Sequence, residues 1–177
     1  MIGALTLPVT LRARDRDVVL RRAVEDDLTA VVELLADDTV STARGDRASA
    51  ADEPLHRAAM REILADPAND LLVATDAAGT VVGTLQLTRI PGMARRGATR
   101  LRVEAVRVRS TQRSGGIGAA VVRWVTDVAA PATGSALVQL TSDDARTDAH
   151  RFYERLGFTG SHRGFTYAVA PPARAAD

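Results

Sequence analysis

Two hydrophobic periods take turns along this chain. Short apolar or alternating runs read as strands, and longer stretches with apolar residues three and four apart read as helices. Val18 to Ala23 is a first strand. Glu25, Asp26 and Asp27 then crowd the start of a helix, where acidic groups complement the helix dipole. Leu28, Val31, Val32, Leu34 and Leu35 give that helix its apolar face. Asp37 to Pro54 is polar and small, a loop. A second helix follows from about Pro54 to Ala65, with Leu55, Ala58, Ala59, Met60 and Ile63 expected inward. Leu71 to Thr75 and Val81 to Thr88 flank a turn and form an antiparallel hairpin. A Gly- and Arg-rich connection leads to a central strand, Leu101 to Val108. Beyond it Ile117, Ala120, Val121, Trp124, Val125 and Val128 mark a helix packed on the sheet by one face, ended by Pro131 and Gly134. Ala136 to Leu140 is the next strand, expected parallel to the central one. Ala149, Phe152, Tyr153 and Leu156 stripe a last helix, which Gly157 stops, with Phe158 folding back on its final turn. Phe158 to Thr159 and Phe165 to Val169 read as a closing pair of strands.

The central strand carries an irregularity. Leu101, Val103 and Ala105 are apolar at odd positions, Val106 and Val108 at even ones. The phase flips between Ala105 and Val106. A one-residue β-bulge shifts phase in this way and bends the strand. A strand buried on both faces would need no phase, but Arg102, Glu104 and Arg107 are hard to bury. Immediately after this strand come Gly115, Gly116 and Gly118, where the backbone turns into the next helix. The first N–H groups of a helix have no partner within it, and the dipole adds positive charge there. Such an end accepts phosphate groups. A plain strand-to-helix turn uses the same glycines.

Composition narrows the field. A chain of 177 residues suggests one domain, able to bury roughly 70% of its unfolded surface. Residues 1 to about 17 read as a tail or extra edge segment, residues 18–169 as the domain, and residues 170–177 as a disordered tail. No cysteine is present, which excludes disulfides, zinc-thiolate sites and a Cys nucleophile and is compatible with a cytoplasmic address. All 23 basic residues are arginine, balanced by 22 acids, so nothing pulls the protein globally toward nucleic acid or membrane. The missing lysine also excludes a Schiff-base lysine and the lysine of a P-loop. No apolar run approaches 18 residues, the length a membrane-spanning helix needs.

Arg113-Ser-Gly-Gly116-Ile-Gly118 matches R-x-x-G-x-G, and His150-Arg-Phe-Tyr153-Glu-Arg-Leu-Gly157-Phe158 supplies a helix carrying Tyr followed by L-G-F. In that order, separated by a helix and a strand, the two motifs resemble the GCN5-related N-acetyltransferases (GNAT), over roughly Val18 to Val169. The resemblance implies an α/β (α+β) fold: a strongly twisted, mostly antiparallel mixed sheet of six or seven strands with about four helices, its fourth and fifth domain strands splayed apart. It implies acetyl-CoA as co-substrate, no metal, and direct attack of an amine on the thioester. The bulged strand would hold the pantetheine arm through Val106, Arg107 and Val108. Arg113 opens the loop, in which the N–H groups of Ser114, Gly115, Gly116, Ile117, Gly118 and Ala119 would hold the pyrophosphate. Tyr153 matches the family's general acid. Glu104, two residues before the bulge, is the candidate base, its alternative being an ion pair with Arg102 or Arg107.

The chain departs from the family at Arg146, seven residues before Tyr153, where an Asn often bonds the pantetheine. Arginine cannot accept a hydrogen bond, so Arg146 is expected to reach the CoA phosphates instead. Asp143 and Asp144 are weaker candidates for the base, and His150 reads as a solvated face residue. The acceptor is a small-molecule or peptide amine. Asp37, Asp38, Asp46 and Asp52 of the long loop could attract a cationic one, although a solvated loop explains them as well. A homodimer is left open. The alternative functions are an acyl-CoA-binding sensor without turnover, or transfer of a longer acyl group.

Overall fold

The computed structural model describes residues 2–38 and 48–169. Six strands form one sheet in sequence order: β1 (Val9–Arg12), β2 (Asp17–Arg22), β3 (Asn69–Thr75), β4 (Val81–Ile90), β5 (Arg100–Val108) and β6 (Leu137–Leu140). The first five pair antiparallel and β6 runs parallel to β5. This is the mixed, mostly antiparallel α/β architecture expected. The stretch before Val18 is not loose: β1 extends the sheet, and Ile2, Leu5 and Leu11 enter the core.

Helices cover both faces. On one, α1 (Leu28–Ala36) and α2 (Glu53–Ala65) place Leu28, Val31, Leu34 and Met60 against Leu71, Val73 and Val81. On the other, α3 (Ile117–Trp124) sets Ile117, Val121 and Trp124 against Leu72, Leu85, Leu87, Leu101 and Val103. The alternation of β5 therefore decides which of its side chains meets which layer. The start of α1 is built as its acids suggest. Glu25–Asp27 form a 3-10 turn, Asp27 takes a bidentate pair from Arg21 at 2.6 and 2.8 Å, and it accepts the Val24 N–H. Glu25 is bonded by Arg61 of α2.

Three expectations change. The helix after the glycines continues through a π-helical turn, Val125–Ala129. The wider turn advances the phase by one residue, so Val128 is half exposed and Ala129 is buried in its place. The α2 face is rotated: Leu55, Ala58 and Ala59 are exposed, and Met60 with half-buried Ile63 faces inward. Phe158–Thr159 and Phe165–Val169 form no strands. Phe165, Tyr167 and Val169 lie exposed, with no sheet edge paired to them. Much of the loop from Asp37 to Pro54, Asp46 included, falls outside the described residues, as does the expected tail at 170–177. Among the described residues no helix is long and apolar enough to cross a membrane.

Candidate active site

The irregularity in β5 is a bulge. Thr84 pairs with Arg107 and Gln86 with Glu104, so Leu85 alone stands opposite Ala105 and Val106. Ala105 takes up the extra residue in the left-handed region, at φ 52. That conformation costs a non-glycine residue on the order of 1–3 kcal/mol and persists only where surrounding structure enforces it. The enforcement is visible on both sides. Leu101 and Val103 are buried before the bulge, and Val106 and Val108 pack toward the same core after it.

The bulge coincides with the point where β5 loses its other neighbour. The parallel ladder runs from Arg100–Leu137 to Val103–Leu140 and ends there. From Glu104 onward the two strands have no paired register, and a wedge opens between them. Inside it the Val106 carbonyl accepts from the Arg107 guanidinium at 2.9 Å, and the Val108 carbonyl accepts from Arg113 Nε at 3.2 Å. Beneath the bulge, between the sheet and α3, a gap of about 10 Å³ is lined by Thr84, Leu85, Val106, Arg107 and Gly118, among others. A larger open depression, about 590 Å³, lies at the opposite end of the sheet around Arg22 and Asp70, away from every motif residue.

The glycine turn forms the floor of the wedge. Ser110–Gln112 make a 3-10 turn, Ser114 and Gly116 both adopt positive φ (68 and 87), and α3 starts at Ile117. The first intrahelical bond runs from Ala120 N–H to the Gly116 carbonyl. The N–H groups of Ile117, Gly118 and Ala119 thus precede the ladder, as an anion site requires. The glycines also have a packing reason that the sequence does not show. The β1–β2 hairpin docks on this turn: Arg14 N–H donates to the Gly115 carbonyl at 3.0 Å, Arg14 Nη1 to the Ser114 carbonyl, and Arg16 to Gln112. A Cβ on Gly116 would stand 2.7 Å from the Arg14 nitrogen.

The far wall is α4 (Thr147–Arg155). Gly157 ends it at φ 89, and the Phe158 N–H returns to the Tyr153 carbonyl, as the L-G-F stop implied. Tyr153 sits between Phe152 and Phe158, with ring centroids 5.1 and 5.6 Å away in edge-on packing. Burial raises its phenol above the usual value, and the Arg107 and Arg146 charges offset only part of this. The hydroxyl is therefore neutral, a donor, at ordinary pH. Those two charges also place Arg107, on the bulged strand, and Arg146, at the start of α4, within electrostatic reach of Tyr153.

Other expected residues are engaged differently. Glu104 is exposed and paired with Arg102 Nε at 3.1 Å. Arg146 is ion-paired to Asp38. Arg113 donates to the Asp37 carbonyl at 2.6 Å, and Asp37 Oδ2 accepts the Ser110 N–H. That bond holds the Asp37 carboxyl below its usual range. Asp37 and Asp38 are thus not a lure for a cationic amine. They tie the end of α1 to the glycine turn and to the start of α4, across the mouth of the wedge. Only contacts between residues 73 to 108 positions apart reveal this role, so no local signal could have found it. His150 is partly buried, its Nε2 against the Asp143 carbonyl, and Asp143 Oδ1 accepts the Ala145 N–H.

A mixed sheet split between β5 and β6, with a bulge on one lip and a glycine turn at the head of the next helix, defines the acetyltransferase class of fold. The sequence profile of the Acetyltransferase (GNAT) family matches residues 28–158. The chain belongs to that family. It is similar to a solved structure described as a transcriptional regulator from Bacillus halodurans C-125, at 39% identity and TM-score 0.80, over 86% of this chain and 99% of that one. An acetyltransferase from Trypanosoma brucei (24% identity, TM-score 0.68, 86% and 100%) shares the fold. So does glucosamine-6-phosphate N-acetyltransferase from Arabidopsis thaliana (17% identity, TM-score 0.69, 86% and 99%). No curated protein matches the chain.

Proposed function

We propose that this protein transfers the acetyl group of acetyl-CoA directly to a primary amine. The observation that carries the reading is the coincidence of the Ala105–Val106 bulge, the end of the β5–β6 ladder and the exposed N–H groups of Ile117 to Ala119 at one wedge. The pantetheine arm lies along Val106, Arg107 and Val108, displacing the guanidiniums that cap the Val106 and Val108 carbonyls. The pyrophosphate sits on the turn from Ser114 to Ala119, with Arg113 and Arg146 as flanking cations.

Three tasks remain for the chain. The acceptor ammonium must lose a proton before its nitrogen attacks the thioester carbon, and Glu104 takes that proton, through water. The developing oxyanion needs a donor, supplied by backbone N–H near Val106. When the carbon–sulfur bond breaks, the leaving thiolate takes a proton from Tyr153, whose burial keeps it protonated. General acid assistance of this kind is worth ~10²–10⁴-fold. A cytoplasmic setting, where acetyl-CoA is made and used, suits a chain without cysteine.

Isothermal titration with acetyl-CoA tests the reading: micromolar binding supports it, and no heat at millimolar ligand overturns it. A second reading, an acyl-CoA sensor without turnover, draws on the resemblance to the protein described as a transcriptional regulator. It requires binding with no thiol release across a broad amine panel.

A further inference from the structure

The bulge does more than open the wedge. Leu101 and Val103 face α3, so Arg100, Arg102 and Glu104 face the opposite side of the sheet. Without an extra residue Arg107 would fall in the α3 core. The bulge returns Val106 and Val108 to that core and moves Arg107 onto the face of Arg102 and Glu104. Among the described residues the helices on this face cover the strip only in part. α2 lies over β3, and α1 lies over β4 and the end of β5, where Glu33 meets Arg109 and Asp37 meets Ser110.

The rest of the strip is polar and half-buried, with only Glu104 exposed. Gln86 and Thr88 of β4 share the Asn69 side chain, Arg100 donates to Gln139, and Arg102 donates to Thr141. Arg102 and Arg107 stand on either side of Glu104. The strip leads outward to the β4–β5 connection, where Arg95 and Arg96 are both exposed. Among the described residues, Asp37 and Asp38 near the wedge mouth already bond the glycine turn and Arg146. By residue count the strip is cationic, with one carboxylate between guanidiniums.

From this we infer that the acceptor is a small amine that also bears an anionic group, a carboxylate or a phosphate. Its ammonium is drawn to Glu104 and its anion to the guanidinium of Arg102 or Arg107. The inference rests on the acetyl-transfer reading, and it reverses the cationic acceptor that the acids of the loop suggest. Guanidinium suits both anions, because its planar fork matches carboxylate and phosphate oxygens alike.

The test separates the two readings. Acetyl-CoA binding is measured first by titration; its absence sinks acetyl transfer itself. With binding established, thiol release is followed for matched acceptors: phosphoethanolamine against ethanolamine, β-alanine against β-alaninamide, and spermidine as a polycation. The expected result is kcat/KM at least about tenfold higher for the anionic member of one pair, the scale of a charge-assisted contact. Which pair responds tells phosphate from carboxylate. The advantage should shrink as ionic strength rises. Because Arg102 also pairs with Glu104, the readout is the ratio within the pair: Arg102→Gln should cut the anionic member's kcat/KM advantage over its neutral partner about tenfold, with acetyl-CoA affinity unchanged. Arg102→Lys should restore part of the loss. Equal or faster turnover of the neutral amines or of spermidine overturns the inference while leaving acetyl transfer standing.

Discussion

Replacing Gly116 by alanine should separate the glycine turn's structural work from that of its neighbour Gly118. Gly116 has φ 87, where an L residue is strained by about 1 kcal/mol or more. Its new Cβ would also meet the Arg14 nitrogen at 2.7 Å and the Arg14 Cβ at 3.0 Å. The first of these is backbone, so the hairpin must move rather than a side chain rotate. Moving it weakens the Arg14 N–H bond to the Gly115 carbonyl, a net loss of about 1 kcal/mol. Together these give about 2 kcal/mol. Gly118→Ala adds the same methyl where it meets only Phe152 at 3.5 Å and Val108 at 3.6 Å, ordinary contacts, in a helix that favours alanine by up to about 1 kcal/mol. Urea unfolding reads the difference. At an m-value of about 2 kcal/mol/M, Gly116→Ala should lower the midpoint by about 1 M, with Gly118→Ala at or above the parent. Amide exchange at Arg14 should quicken in the first variant only. Midpoints for the two variants within about 0.3 M of each other would refute the packing account of Gly116.

Tyr153→Phe keeps the ring packing against Phe152 and Phe158 but removes the proton donor, so thiol-release assays should show kcat reduced about 100-fold with stability nearly unchanged. The raised phenol pKa means Tyr153 itself should cause no fall in parent kcat below about pH 10. Glu104→Gln should lower kcat/KM about 100-fold in thiol-release assays; unchanged turnover would place the base elsewhere. Asp27 is held below its usual value chiefly by the Arg21 pair. Its folded pKa is depressed, so the stability it contributes is present above about pH 4 and is lost as pH falls through the folded value. Asp27→Asn should therefore cost about 2 kcal/mol by urea unfolding near neutrality, and the gap to the parent should narrow as pH falls below about 4.

The parts of this protein that can be read in its sequence are those whose cause is local. The phase flip at Ala105–Val106 is a register statement written in the side chains themselves, and the structure has the bulge there. Gly157 and Phe158 stop α4 by a bond spanning five residues. Errors fall where the deciding contact is distant or the period changes. The π-turn after Trp124 inserts one residue into a helical period, so Val128 keeps its spacing and loses its burial. The α2 face is chosen by Arg61 reaching Glu25 and by Met60 reaching the sheet, neither visible from α2 alone. Residues 165–169 alternate as a strand does, but no edge is offered to them. The roles of Asp37, Asp38 and Arg14 exist only after folding, because each bonds across at least 70 positions.

The wedge is consequently a joint between distant segments and not the product of any one motif. Its two lips are β5 and the β6–α4 connection, and they part where the ladder ends at Val103–Leu140. The end of α1 bridges them, Asp37 to Ser110 on one side and Asp38 to Arg146 on the other. Arg146 precedes the helix that carries Tyr153, so the end of α1 is mechanically connected to the element bearing that tyrosine. This gives the departure at Arg146 a physical sense. An asparagine could bond a ligand amide there, but it could not pair with Asp38 across the opening. With arginine the chain exchanges a ligand contact for an internal strut. The Arg146–Asp38 ion pair then ties the end of α1 to the start of α4 across the wedge.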